Sequence, residues 1–348
     1  MKILQVCPCY YPHIGGVETH VRKISEILSH KHDVTVFTGD SSGKLPIEEE
    51  INGVLVKRFN SFSPSDAYHI SLKMATELNK AEFDVVHGHN YHALPLYFSR
   101  YARCKKFIVT PRYHGHGHTP LRKFLINLYK PFGKKIFKEA DNIIALSNYE
   151  KELLLKDFDI DESKIRLIPN GLDIGEFEHL RTEGKEKTIL CVDRLEEYKG
   201  TQYVIKTLPL LDEDFCLKIV GKGSYKHKLV ELVDRLGLGN RVEFYQDVPR
   251  KELLKMYAKA GVFILLSKGE AFGNAVAEAL TSKTPCIVAT ASALIEWIDN
   301  RNCFGIDYPI NNEELVKLIN NVVGKKVSDV KLWDWNEVVQ QIRELYEN

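Results

Sequence analysis

A chain of 348 residues is long enough for two domains, each with a sizeable core. Its 44% hydrophobic and 27% charged residues match a soluble globular protein and exclude a disordered or low-complexity one. The formal net charge of +1 singles out no class of partner, and seven cysteines without a spacing pattern predict reduced thiols in a cytoplasmic compartment.

The first run, "MKILQVCPCYYP", has too short an apolar core for a signal peptide, and no stretch approaches the ~18 apolar residues of a membrane span. "CPC" at Cys7 to Cys9 lacks the second pair a metal site would need. Strand-like runs begin with "KILQVCP" and follow in order as "HDVTVFTG", "GVLVKRF", "FDVVHGH", "FIVTP" and "DNIIALS", with amphipathic segments between most of them. This alternation predicts a parallel sheet covered on both faces. A second set, "TILCVDR", "FCLKIVGKG", "VEFYQD", "VFILLS" and "PCIVAT", predicts another. Ile168 to Lys187, rich in glycine and charge, reads as the connection between them. The expected domains are 1–170 and 171–330, with 331–348 as an amphipathic helix packing back toward the first.

In such α/β folds ligands sit at the carboxyl ends of the strands. Gly15 and Gly16 follow the first strand and open a helix, where backbone amides can approach an anion. Neither they nor "GKGS" at Gly221 to Ser224 completes the dinucleotide fingerprint, which disfavours a nicotinamide enzyme. In "VDRLEEYKG", Arg194 and Lys199 flank a helix start, a cation pair suited to a diphosphate. In "SKGEAFGNAVAEAL", Glu270 lies at a strand's carboxyl end, Phe272, Gly273 and Asn274 at a helix start, and Glu278 in the second helical turn. A carboxylate accepts two hydroxyl donors at once, which suits a vicinal diol.

Two histidine groups follow the fourth and fifth strands of the first set: His87, His89, His92 and His114, His116, His118. A zinc site is set aside because alternate strand-end positions are expected to point apart and no cysteine or carboxylate completes a ligand set. "DED" at Asp212 to Asp214 reads as a solvated turn, so no metal is assigned. From Val85 through Lys138 there is no acidic residue. Arg122, Lys123, Lys130, Lys134, Lys135 and Lys138 alternate there with Phe124, Leu125, Leu128, Tyr129, Phe132, Ile136 and Phe137. That pattern suits either an anionic membrane surface or lipid-linked acceptor, or a core-facing helix with a solvated basic face. No nucleic-acid recognition module accompanies it.

Together these motifs resemble the retaining GT-B glycosyltransferases of family 4. The likeness spans essentially the whole chain, through "GGVE", "DVVHGHN", "IPNGLD", "DRLEEYKG", "IVGKGSYKHKL" and the Glu270–Glu278 pair. It implies two Rossmann-like domains facing across a cleft. It also implies a hexose-type sugar moved from a UDP- or GDP-linked donor to a glycan or lipid-linked acceptor, with no divalent metal or other cofactor. By the same likeness, Glu270 would touch the sugar hydroxyls and Glu278 the ribose. Arg194 and Lys199 would hold the diphosphate, met also by Gly15 and Gly16, while Phe272, Gly273 and Asn274 orient the sugar. His114, with His116 as second choice, would lie beside the reactive carbon. Several positions depart from the family pattern: Asp193, Gln246 and Lys283 stand where glycine is common, Glu296 lacks paired glycines before it, and Arg112 competes for the histidine's place. A sugar-nucleotide epimerase or hydrolase, or a non-catalytic sugar-nucleotide-binding protein, is the alternative.

Overall fold

KILQVC forms strand β1 (Lys2–Cys7), whose side chains alternate between two cores: Leu4 and Val6 pack on one face, Ile3 and Cys7 on the other. A strand buried on both faces requires paired neighbours and a covering layer on each side. In this computed structural model, β2 (Asp33–Asp40) and β4 (Val54–Asn60) lie to one side, with β3 (Glu48–Ile51) antiparallel at the edge. A small hairpin joins β5 (Phe62–Ser65) to β6 (Tyr68–Ile70). To the other side of β1 run β7 (Glu82–His89), β8 (Arg103–Thr110), β9 (Asn142–Ala145) and β10 (Ile165–Leu167), all parallel. All residues are described except 14, 66–67, 116–119, 181–185 and 329, and the side chains of 64–65, 68 and 120–127.

Two compact units result, Met1–Gly171 with Trp333–Asn348, and Leu172–Leu332. In the first, helices Gly16–Ser29 and Trp335–Glu347 fill the core on the Ile3 side through Val21, Ile24, Val338 and Ile342. Met74, Leu96, Ile136, Phe137 and Leu154 fill the opposite face. The second unit contains β11 (Thr188–Val192), β12 (Cys216–Val220), β13 (Val242–Tyr245), β14 (Val262–Leu265), β15 (Cys286–Ala289) and β16 (Cys303–Ile306). They are parallel in the order β13-β12-β11-β14-β15-β16, the doubly wound arrangement whose order reverses between β11 and β14. The first unit reverses in the same way between β1 and β7.

The first part of the segment read as a connection, Ile168 to Phe177, packs more closely than its composition suggests. Ile168 and Asn170 are buried in the first unit, and Ile174–Phe177 forms a 3-10 turn with Phe177 buried. A Cβ on Gly171 would lie 2.8 Å from the Trp335 Cα, so only glycine admits the C-terminal helix there. Lys283 takes φ +58°, a left-handed conformation that accounts for glycine being common at that position.

Candidate active site

In the second unit, the loops leaving β11 and β14 carry Asp193–Lys199 and Ser267–Gly273, the two sides of the switch point. They are tied together. The Lys268 N–H donates to the Tyr198 carbonyl at 3.0 Å. Gly200 takes φ +82°, and a Cβ there would lie 2.3 Å from the Leu266 carbonyl oxygen. The tie sets Lys199 Nζ on Glu270 Oε1, with only 10% and 18% of the two side chains exposed. Burial opposes the Lys199 ammonium, but Glu270, Tyr198 and Asp193 outweigh it and raise its pKa. The family resemblance implies different parts of a donor for these two residues; the structure pairs them directly.

Arg194 is exposed, and its Nη2 donates to the Tyr198 hydroxyl at 3.2 Å. Burial lifts the Asp193 carboxyl to about 7, against the pull of Lys199 and of the Thr201 hydroxyl, which donates to Oδ2 at 3.2 Å. Gly221 and Gly223 pack on this loop: their Cβ atoms would fall 1.8 Å from the Asp193 carbonyl oxygen and 2.2 Å from that of Leu195. "GKG" is therefore a close-packing element that holds the Arg194 loop in shape.

Gly273, at φ +101°, starts the helix Asn274–Thr281, and the Trp297 indole donates to the Phe272 carbonyl at 2.7 Å. Phe272, Gly273 and Asn274 thus form a braced helix start. Glu278 projects from the second turn with 19% of its side chain exposed. Its Oε1 accepts from Arg250 Nη1 at 2.6 Å, while Arg250 Nε donates to Glu176 Oε2 at 2.9 Å. Arg250 belongs to no motif, and sequence reasoning misses it. The one cue is a cation at the first position of a helix (Arg250–Lys259), where the dipole favours anions.

In the first unit Gly15 caps the helix that Gly16 begins. A Cβ on Gly15 would lie 2.4 Å from Glu18 Oε2, so the helix's own carboxylate reaches back over its first turn. An anion of the protein therefore shares the amide face expected to meet a diphosphate. His114 follows β8, half-buried and stacked on His92 with ring centroids 4.7 Å apart. Beside it, Arg112 donates to Asn170 Oδ1 at 3.2 Å, and burial pulls its guanidinium down to about 10. His116 and His118 lie outside the described residues, as do the side chains of Arg122 and Lys123.

His87 and His89 do not point apart. Positions two apart on a strand share a face, and the rings stand 4.0 Å apart in the core. Among the described residues no three metal-ligating side chains come together. Asp212 and Asp214 pair with Lys187 at 3.5 and 2.8 Å, as a solvated turn would. The helix Pro120–Glu139 buries Ile136 and Phe137 and exposes Lys134, Lys135, Lys138, Leu128 and Phe132. No helix is long and apolar enough to cross a membrane among the described residues.

Two doubly wound units, with cations and carboxylates gathered at the switch point of the second, have the architecture of GT-B glycosyltransferases. The fold is shared with sucrose-phosphate synthase from Thermosynechococcus elongatus (TM-score 0.80, 19% identity, covering 99% of this chain and 98% of that one). It is shared equally with Anabaena HepE in complex with UDP-glucose (TM-score 0.78, 19% identity, 100% and 99%). Residues 14–176 match the model of glycosyltransferase family 4, and residues 175–332 that of the group 1 glycosyl transferases. The chain belongs to this family and is a glycosyltransferase. Among its relatives are an uncharacterized glycosyltransferase of Methanocaldococcus jannaschii (29% identity, 96% of this chain, 95% of that one) and the alpha-monoglucosyldiacylglycerol synthase of Streptococcus pneumoniae (25%, 88% and 75%).

Proposed function

We propose that this glycosyltransferase moves a hexose-type sugar, with retention, from a UDP- or GDP-linked donor to a glycan or lipid-linked acceptor at the cytosolic face of a membrane. The observation that carries the reading is the Lys199–Glu270 pair at one switch point, with Arg194 on the same loop as Lys199 and Glu278 on the helix that follows Glu270. The donor's bond between the anomeric carbon and the diphosphate oxygen breaks, and the departing diphosphate gathers negative charge. Lys199 and Arg194 neutralise that charge, which is electrostatic stabilisation by groups already in place. The acceptor oxygen forms its bond on the face the diphosphate leaves, and its proton passes to the leaving group. Glu270 holds the sugar hydroxyls, Glu278 the ribose diol, and His114 orients sugar and acceptor. Two side-chain cations supply the charge that a divalent ion supplies elsewhere, so the reaction is expected to run without metal.

Support for the donor class comes from the relative solved with UDP-glucose. For a lipid-linked acceptor it comes from the glycolipid synthase's name. A thermal-shift series tests the donor: UDP or GDP should raise the melting temperature, because a ligand that binds only the folded state stabilises it. No shift with either, or turnover abolished by a chelator, would overturn the reading.

The basic helix addresses the acceptor side. Exposed Lys134, Lys135 and Lys138 beside exposed Leu128 and Phe132 suit a surface that is anionic outside and apolar beneath. Changing the three lysines to glutamate should weaken binding to phosphatidylserine vesicles about 100-fold or more in a sedimentation assay, since each basic residue contributes roughly 1 kcal/mol. Equal sedimentation would return the helix to an ordinary solvated face.

A further inference from the structure

We propose that Arg250 is a positioning residue for Glu278, fixing that carboxylate so that it discriminates a ribose-bearing nucleotide from one lacking the diol. This rests on the reading of Glu278 as the ribose acceptor and adds the residue that makes it selective. The guanidinium spans two acidic groups from separate segments: Nη1 donates to Glu278 Oε1 at 2.6 Å and Nε to Glu176 Oε2 at 2.9 Å. Its charge lies 5.7 Å from the centroid of the Phe177 ring, and Phe177 is itself buried.

An exposed ion pair is ordinarily worth little, and 40% of the Arg250 side chain is exposed. Two features set this one apart. Arg250 opens its helix, where the dipole repels a cation, so stability of that helix does not call for arginine. Its fork also reaches from the helix bearing Glu278 to the turn Ile174–Phe177, a rigid bidentate geometry that an ammonium cannot reproduce.

The chemistry follows from the carboxylate. Glutamate is rich in rotamers, and a free one must be ordered when a diol binds, at the expense of affinity. A carboxylate offers about four lone-pair sites, so one bond from Arg250 leaves room for both hydroxyls of a ribose. Held by Arg250, Glu278 meets the diol already oriented.

The test uses the full chain and calorimetric titration with UDP and GDP, then with the 2′,3′-dideoxy form of whichever binds. Wild type should prefer the ribonucleotide. Arg250→Gln should narrow that preference about 10-fold, the size of losing a pre-oriented acceptor, while inorganic pyrophosphate affinity stays unchanged. Arg250→Lys should recover part of the preference, because an ammonium keeps the charge beside Glu278 without the planar fork that fixes its direction. If Arg250→Gln unfolds, Arg250→Lys carries the test with a smaller narrowing. Full discrimination in the Arg250 variants, alongside its loss in Glu278→Gln, overturns the proposal and leaves the ribose reading standing. Discrimination surviving in Glu278→Gln overturns the ribose reading and the proposal with it, as does the failure of wild type to bind either nucleotide.

Discussion

Lys199→Ala should lower turnover about 100-fold, the size seen when one group stabilising transition-state charge is removed. The residue ends a short 3-10 turn against Gly200, and its ammonium is placed by a chain path that only glycine permits. Its raised pKa keeps it charged at any working pH. A structural explanation must be separated from a catalytic one, because truncating one member of a buried pair strands the other. Glu270 would lose its cation and the variant would melt earlier. Lys199→Met combined with Glu270→Gln removes both charges and should return much of the lost stability. Turnover should remain low in the double variant if the ammonium serves the leaving group. Wild-type kcat/KM in Lys199→Ala, measured against UDP- and GDP-sugars, would remove the diphosphate assignment.

The main strands were legible because a parallel sheet writes long apolar runs into the chain, as in "TILCV" and "VFILL". The missed strands are those whose composition obeys other demands. β3 reads "EEEI", and its charge suits an edge, where Glu48 pairs with Lys57 at 3.1 Å and blunts further pairing. β6 and β10 have three residues each, too short for any period to register, and the four of β16, CFGI, are interrupted by a glycine. Within the candidate site, strand ends and helix starts located Arg194, Glu270 and Glu278 one by one. Their partners were not legible, since Lys199 meets Glu270 across 71 residues and Arg250 meets Glu278 and Glu176 across 28 and 74. Such pairings depend on loop geometry, which glycines at positions 200, 221 and 223 shape through close approach. The histidines give the clearest lesson: positions 87 and 89 share a face, and a C-terminal tyrosine completes their environment.

Acidification from pH 7 to 5 should destabilise the first unit while the second holds or gains. His20, His87 and His89 are all buried, with His89 tilted against His87 and edge-on to His20 at centroid distances of 4.0 and 5.7 Å. Gln5 Nε2 donates to the Tyr346 hydroxyl at 3.0 Å, and that hydroxyl lies 2.7 Å from His87 Nδ1. Thr110 Oγ1 lies 2.8 Å from His87 Nε2, and Gln5 Oε1 2.7 Å from His89 Nε2. Each ring needs only one proton to complete this chain. No carboxylate among these partners compensates a second, and Arg112 opposes it in all three rings. Burial accordingly holds His20 and His89 well below the ordinary value and His87 down to about 3. Below about pH 6.5 the unfolded histidines bind protons that the folded ones refuse, so stability falls as pH falls. Glu150, lifted by burial to about 7, works the other way, because its folded form gains a proton before its unfolded form does. Three groups against one leave about two protons, or roughly 2.7 kcal/mol per pH unit well below 6.5. In the second unit Asp193 is lifted to about 7 by burial, and its sign is that of Glu150. Hydrogen exchange at pH 7 and 5 should therefore show protection lost in β1, β7 and the helix Trp335–Glu347, but retained in β11 and β12. His87→Gln should flatten the first unit's slope by one proton, about 1.4 kcal/mol per pH unit. An unchanged slope in that variant, or equal loss in both units, would mean that the buried imidazoles do not govern how the C-terminal helix is held.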